Sequence, residues 1–102
     1  MTSLAVETQE PRAQAVSIDD EALTVDLVDG RTLIVPLAWF PRLWHGTAAE
    51  RSTFEIFGDG AFINWPDLDE DLSVAGLLTG ARSGESPDSL RRWLNSRATQ
   101  SR

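Results

Sequence analysis

The 102-residue chain contains no cysteine, which excludes disulfides, thiol nucleophiles and thiolate metal sites and leaves stability to packing alone. It contains no lysine either, and all nine positive side chains are arginine. Schiff-base chemistry and the phosphate-gripping lysine of a Walker loop are thereby absent. Histidine occurs once, at His45. No apolar run is long: the longest, Leu33 to Phe40, is broken by Pro36 and falls far short of the ~20 residues a bilayer crossing needs. The first residues, Met1-Thr2-Ser3-Leu4-Ala5-Val6-Glu7, offer neither a basic start nor an extended apolar stretch, so no secretory signal is read. A cytoplasmic location without membrane contact is the expectation.

What is present describes one ordinary globular domain, 41% hydrophobic and 25% charged. The formal net charge is −7, and it is unevenly spread. Residues 1–30 hold seven acids against Arg12, and Asp67, Asp69, Glu70 and Asp71 add four more. After Ala81 the sign reverses, with Arg82, Arg91, Arg92, Arg97 and Arg102 against Glu85 and Asp88. An acidic body opposes general attraction to nucleic-acid phosphates, whose binding needs neutralising cations. A basic partner is the direct inference, while the arginine-rich end leaves an opening for nucleic acid.

Residues 1–12 lack periodic pattern and read as a flexible arm. From Ala13, Val16 and Ile18, then Leu23, Val25 and Leu27, alternate with polar neighbours as half-buried strands do, with a turn at Asp19 to Ala22. Asp29-Gly30 predicts a hairpin closed by a type I′ turn, returning through Thr32 to Val35 until Pro36 ends the ladder. A short helix is expected from Pro41 to Gly46, bearing Leu43 and Trp44. A second is expected after Thr47, whose spacing to Glu50 is that of a capping box. Residues 54–57 and 61–65 flank Gly58-Asp59-Gly60 as a second hairpin, and Pro66 stops it. Ser73 caps a helix over Val74 to Thr79 that Gly80 terminates. Ser86-Pro87 starts another, with Leu90, Trp93 and Leu94 on one face. The fold class is therefore α+β: a small single domain whose antiparallel sheet comes from two β-hairpins plus one further strand, packed with short helices and a C-terminal helix. Its body is expected over 13–80, followed by a linker and amphipathic helix over 81–102.

The candidate sites are few. Asp67, Asp69 and Asp71 have the spacing that opens a calcium loop, but Leu72 stands where that loop needs glycine and Leu78 where it needs glutamate. These carboxylates are better read as acids ahead of a helix N-terminus, favoured by its dipole, or as a partner-facing patch. His45 would have to supply any imidazole base or metal ligand, and no nucleophile-elbow pattern accompanies a serine. Beside Gly46 it reads as a residue placed near the carbonyls of a helix end. Trp39, Trp44, Trp65 and Trp93 lack the cationic groove of a base-stacking platform and read as packing residues. With Pro66, Leu77, Leu78 and the turn residue Gly30, Trp39, Trp44 and Trp65 form the expected structural set. No catalytic residue, cofactor or metal is assigned.

From Val16 to Gly80 the order of motifs resembles the bacterial family catalogued as domain of unknown function 2442. The pieces are Leu27-Val28-Asp29-Gly30-Arg31, Val35-Pro36-Leu37, Trp39-Phe40-Pro41-Arg42-Leu43, Thr47-Ala48-Ala49-Glu50-Arg51 and the run from Asn64-Trp65-Pro66 to Leu77-Leu78. The resemblance implies a small α+β domain with a curved antiparallel sheet. It also implies stand-alone bacterial proteins, some encoded beside another small protein in a toxin–antitoxin-like pair and some fused to a helix-turn-helix domain. Position 64, often histidine in that family, is asparagine in this chain, so chemistry by a histidine there does not carry over. The expected function is a non-enzymatic protein–protein interaction module, antitoxin-like, meeting a small basic partner from the adjacent gene through Asp67, Asp69, Glu70 and Asp71. The alternative is a nucleic-acid-binding or transcription-regulating accessory that uses Arg91, Arg92 and the rest of the arginine-rich helix.

Overall fold

The computed structural model describes residues 10–100, with side chains described through residue 98. Residues 1–9 of the expected arm, and Arg102, lie outside the described residues.

Two three-stranded antiparallel sheets carry the fold. The first runs β1 (Ala13–Ile18), β2 (Ala22–Leu27) and β3 (Thr32–Pro36) in that order. Its central strand buries Leu23, Val25 and Leu27 and exposes Asp26, the period-two alternation of a sheet with one wet face. The β1–β2 turn closes on Asp19, whose carboxylate accepts the amides of Glu21 and Ala22, both at 2.8 Å. The β2–β3 turn differs from the expected type I′. Only Gly30 has positive φ, at 101°, and Asp29 is not among the positive-φ residues. The amide of Gly30 donates to the Leu27 carbonyl and that of Leu27 to the Arg31 carbonyl. This is a three-residue loop, a tight turn followed by a left-handed glycine, which Val28-Asp29-Gly30 serves as well as a two-residue one.

A 3-10 turn (Leu37–Trp39) leads to α1 (Pro41–Trp44) and α2 (Ala48–Ser52). The capping box on α2 is present: Thr47 Oγ1 accepts from the Glu50 amide at 3.1 Å, and the Glu50 carboxylate accepts from the Thr47 amide at 2.9 Å. Trp44 departs from its expected core role and is 47% exposed. In a helix of one turn, Leu43 takes the inward position and is fully buried, which turns its neighbour outward. Trp39 is half-buried.

The second sheet runs β4 (Glu55–Phe57), β5 (Phe62–Trp65) and β6 (Glu70–Ser73). Strand β6 was not expected. A 3-10 turn starting at Pro66 (Pro66–Leu68) and left-handed Asp69, φ 52°, fold the acidic run back so that Glu70 pairs with Trp65, Asp71 with Asn64 and Leu72 with Ile63. The carboxylates therefore belong to a turn and a strand, and the helix-dipole reading of them is replaced. Ser73 does cap α3 (Val74–Leu78), accepting from the Gly76 amide at 2.7 Å.

The core joins Leu23, Val25 and Val35 from the first sheet to Ile63, Trp65 and Leu72 from the second, with Leu37, Phe40, Leu43, Leu68, Val74 and Leu77 closing it. Trp65 is fully buried, and its indole N–H donates to the Arg51 carbonyl at 3.0 Å. Leu78 packs on the rim of this core, and so does Trp93 from α4 (Pro87–Gln100). The fold class is α+β, a single domain with two antiparallel sheets, short helices and a C-terminal helix.

Candidate functional site

An open groove of about 520 Å³ lies between the acidic strand and the segment leading to α4. Phe40, Leu72 and Leu77 supply apolar lining, and Arg42, Asp69, Glu70, Asp71 and Glu85 supply the charge. Proline at the first position of α1 fixes where that turn begins and so places Arg42 at the groove.

Arg42 organises the site. Its Nε lies 3.0 Å from both Glu85 carboxylate oxygens and its Nη2 lies 2.6 Å from Oε2, while Nη1 reaches the backbone and side-chain oxygens of Asp69, each at 3.2 Å. The same guanidinium stands 5.1 Å from the centre of the Trp93 ring. The hydrogen bonds from Arg42, joined by one from Ser89 Oγ at 2.8 Å, hold the Glu85 carboxyl below its ordinary pKa. A second anchor lies on α2: Arg97 grips both Glu50 oxygens at 2.8 and 3.0 Å and stands 4.6 Å from the Trp93 ring centre. That pairing draws the Glu50 pKa down to about 2.

Glu70 behaves oppositely. Strand alternation turns it to the inner side with Trp65 and Leu72, where burial pushes its pKa up to about 7. Arg42 opposes that rise, and Glu85, Asp71 and Asp69 reinforce it. The Glu70 carboxylate has no hydrogen-bond partner among the described residues. Asp71, on the outer side, accepts from the Asn64 amide nitrogen.

Of the residues expected to meet a partner, the groove gathers Asp69, Glu70 and Asp71. It does not include Asp67, which lies exposed in the 3-10 turn, or Arg91 and Arg92, which lie on the exposed side of α4. Arg91 is paired with Asp88 at 2.9 Å and Arg97 with Glu50, so among the described residues the C-terminal arginines do not form one continuous cationic surface. No group of three or more His, Cys, Asp or Glu side chains among the described residues is arranged to hold a metal ion. His45 is exposed at the end of α1, and its amide donates to the Pro41 carbonyl. The carbonyls of Leu43 and Trp44 are satisfied instead by the Arg51 guanidinium, at 2.9 Å each. Arg42, Glu85 and Trp93 went unidentified as a unit because 43 residues separate the two charged partners. The one available signal was an arginine set among the aromatics of the Trp39-to-Trp44 run.

No helix among the described residues is long and apolar enough to cross a membrane. A search of the curated proteins finds no match. Two solved structures share the fold. A protein of unknown function from Rhodospirillum rubrum is 32% identical with a TM-score of 0.67, over 76% of this chain and 95% of that one. An uncharacterised protein from Chromobacterium violaceum is 22% identical with a TM-score of 0.62, over 88% of this chain and 81% of that one. Residues 13–83 match the family model described as "Protein of unknown function (DUF2442)", a span that takes in both sheets and Arg42 and stops short of Glu85 and α4. The chain therefore belongs to the DUF2442 family, and its arginine-anchored C-terminal helix lies beyond the span that the family model matches.

Proposed function

We propose that this chain is a non-enzymatic protein–protein interaction module that meets a basic partner, as the antitoxin-like member of a two-gene pair whose other product is that partner. The supporting observation is the division of charge between paired and unpaired groups. Arg31, Arg42, Arg51, Arg91 and Arg97 are each held by a carboxylate of the chain itself, and Arg82 lies over the Trp39 ring at 4.2 Å. Glu21, Glu55, Asp59 and Asp67 are exposed with no cationic partner among the described residues. The cations are largely neutralised internally while the carboxylates project a negative field, which speeds encounter with a basic surface and selects against acidic ones.

Co-expression with the product of the adjacent gene tests the reading. A complex that survives purification at about 50 mM salt and weakens on raising it is expected, because exposed charges are screened within roughly 10 Å at 0.1 M. Absence of the complex together with a gel shift of DNA or RNA would favour the alternative, a nucleic-acid accessory working through Arg92 and its neighbours on α4.

A further inference from the structure

The register of the second sheet fixes which side chains share its outer face. Phe57 stands across from Phe62 and Phe62 from Ser73, while Glu55 stands across from Asn64 and Asn64 from Asp71. The row between them, Ile56, Ile63 and Leu72, faces inward. The outer face thus consists of an aromatic row beside an acidic one. The Phe57 and Phe62 rings stack with centroids 5.3 Å apart, and each remains 42% exposed. Ile56, although on the inner row, is 37% exposed because β4 extends past the core that buries Ile63 completely.

β4 is an end strand. It pairs with β5 alone, all three of its residues are exposed, and no described strand occupies its second edge. Natural sheets blunt such edges with short strands, bulges, proline or inward-pointing charge. β4 is short, at three residues, but carries none of the other devices: its one charged residue, Glu55, is on the outer row and its pairing with β5 is regular.

We propose that the open edge of β4 is a docking site for an extended segment of a partner protein, which adds to the sheet as a fourth strand with a basic residue beside Glu55, an aliphatic one beside Ile56 and an apolar one beside Phe57. The proposal rests on the basic-partner reading above and gives it a surface. Backbone hydrogen bonding supplies the attachment, and the side chains on alternate faces supply the selection. The charge at the site decides between occupants. Pairing two copies of β4 offers Glu55 no cation, since it meets Phe57 when Ile56 meets Ile56 and Asp59 when Phe57 meets Phe57, and it brings together chains that each carry −7. Arg12 lies beside Gly60 at the hairpin tip and leaves the Glu55 and Asp71 end acidic. A basic segment meets neither obstacle.

The test uses the full chain, isotopically labelled, titrated with a capped heptapeptide Ser-Thr-Val-Val-Arg-Thr-Ser, which sets Arg beside Glu55 in the antiparallel sense of the sheet, and with its counterpart carrying Glu for Arg. Saturable shifts of the amides of residues 55–57 and 62 are expected. The arginine peptide should bind about fivefold more tightly, the ratio that corresponds to a cross-strand charge pair of about 1 kcal/mol. Glu55→Arg should reverse the preference without altering the other spectra, since Glu55 is exposed and without an ion-pair partner. Shifts that map instead to Asp69, Glu70 and Asp71 would overturn the edge assignment while leaving the basic-partner reading intact. Failure of the arginine peptide to saturate, equal affinity for both, or a peptide-free dimer formed through the same amides would also overturn it. Failure of the broader reading shows separately, as a missing complex on co-expression.

Discussion

Arg42 and Glu85 hold each other with both side chains largely buried, at 16% and 10% exposure, and so tie the segment ahead of α4 to α1. Hydrogen bonds between charged groups contribute about 1.5–3 kcal/mol, and removing one partner strands the other. Glu85→Gln is expected to lower stability by about 2 kcal/mol, which at roughly 4–8 °C per kcal/mol is readily seen in a thermal melt. Arg91→Ala, which breaks a pair exposed at 67% and 71%, is the control and should change stability by less than about 0.5 kcal/mol.

Glu50 and Arg97 make the second attachment of α4 sensitive to acid. The folded-state pKa of Glu50, about 2, lies below its ordinary 4.5, so the stabilisation is complete above about 4.5 and is lost as pH falls from there towards 2. The full shift corresponds to roughly 3 kcal/mol, but with the pair about a quarter exposed, solvent screening brings the expected loss to about 1–2 kcal/mol. Urea unfolding at pH 6 and pH 3 should show somewhat more than half of this loss in the natural protein and a smaller change in Arg97→Gln.

Glu70 acts in the opposite direction. Its folded-state pKa of about 7 is above the ordinary 4.5, so the folded protein binds the proton more tightly than the unfolded chain does. Stability attributable to Glu70 is therefore full below about 4.5 and declines as pH rises towards 7, levelling beyond it. Glu70→Gln should remove that decline and leave the variant about 1–2 kcal/mol more stable than the natural protein at pH 8. A carboxyl carbon titration by NMR that placed Glu70 near 4.5 would refute its desolvation on the inner side of β6.

Gly60 and Gly30 both have positive φ, at 94° and 101°, but their surroundings differ. A Cβ on Gly60 would lie 2.7 Å from the Ala13 carbonyl oxygen and 3.0 Å from its amide nitrogen, while one on Gly30 would meet nothing within 4 Å. Gly30→Ala should cost about 1–2 kcal/mol, the backbone strain alone. Gly60→Ala adds a collision with backbone that joins the two sheets through the Ala13 amide, at 2.7 Å from the Gly60 carbonyl, and should cost roughly 2–4 kcal/mol. Equal melting temperatures for the two variants would contradict that junction.

The hairpins, the Thr47 capping box and the Ser73 cap were legible because each depends on residues within a few positions of one another. β6 was not, because Glu70, Asp71, Leu72 and Ser73 contain a single apolar residue. Its inward side is shared by Leu72 and a carboxylate, so the alternation that marks β2 is missing there. Trp44 misled for a related reason: apolar spacing cannot show that a helix has only one turn and hence one inward position. The groove itself joins Arg42 to residues 69–71 and 85, and charge pairs at that separation leave no periodic trace. The arginines after Gly80 read in the sequence as an arginine-rich helix open to nucleic acid, whereas the fold turns Arg97 onto Glu50 and Arg91 onto Asp88.

Calorimetric titration of the purified chain with the product of the adjacent gene, at about 50 mM and about 300 mM salt, bears most directly on the proposed role. Saturable binding that weakens at the higher salt is expected, as attraction between an acidic surface and a basic partner requires. No heat of binding at low salt, with both proteins shown to be folded, would contradict it.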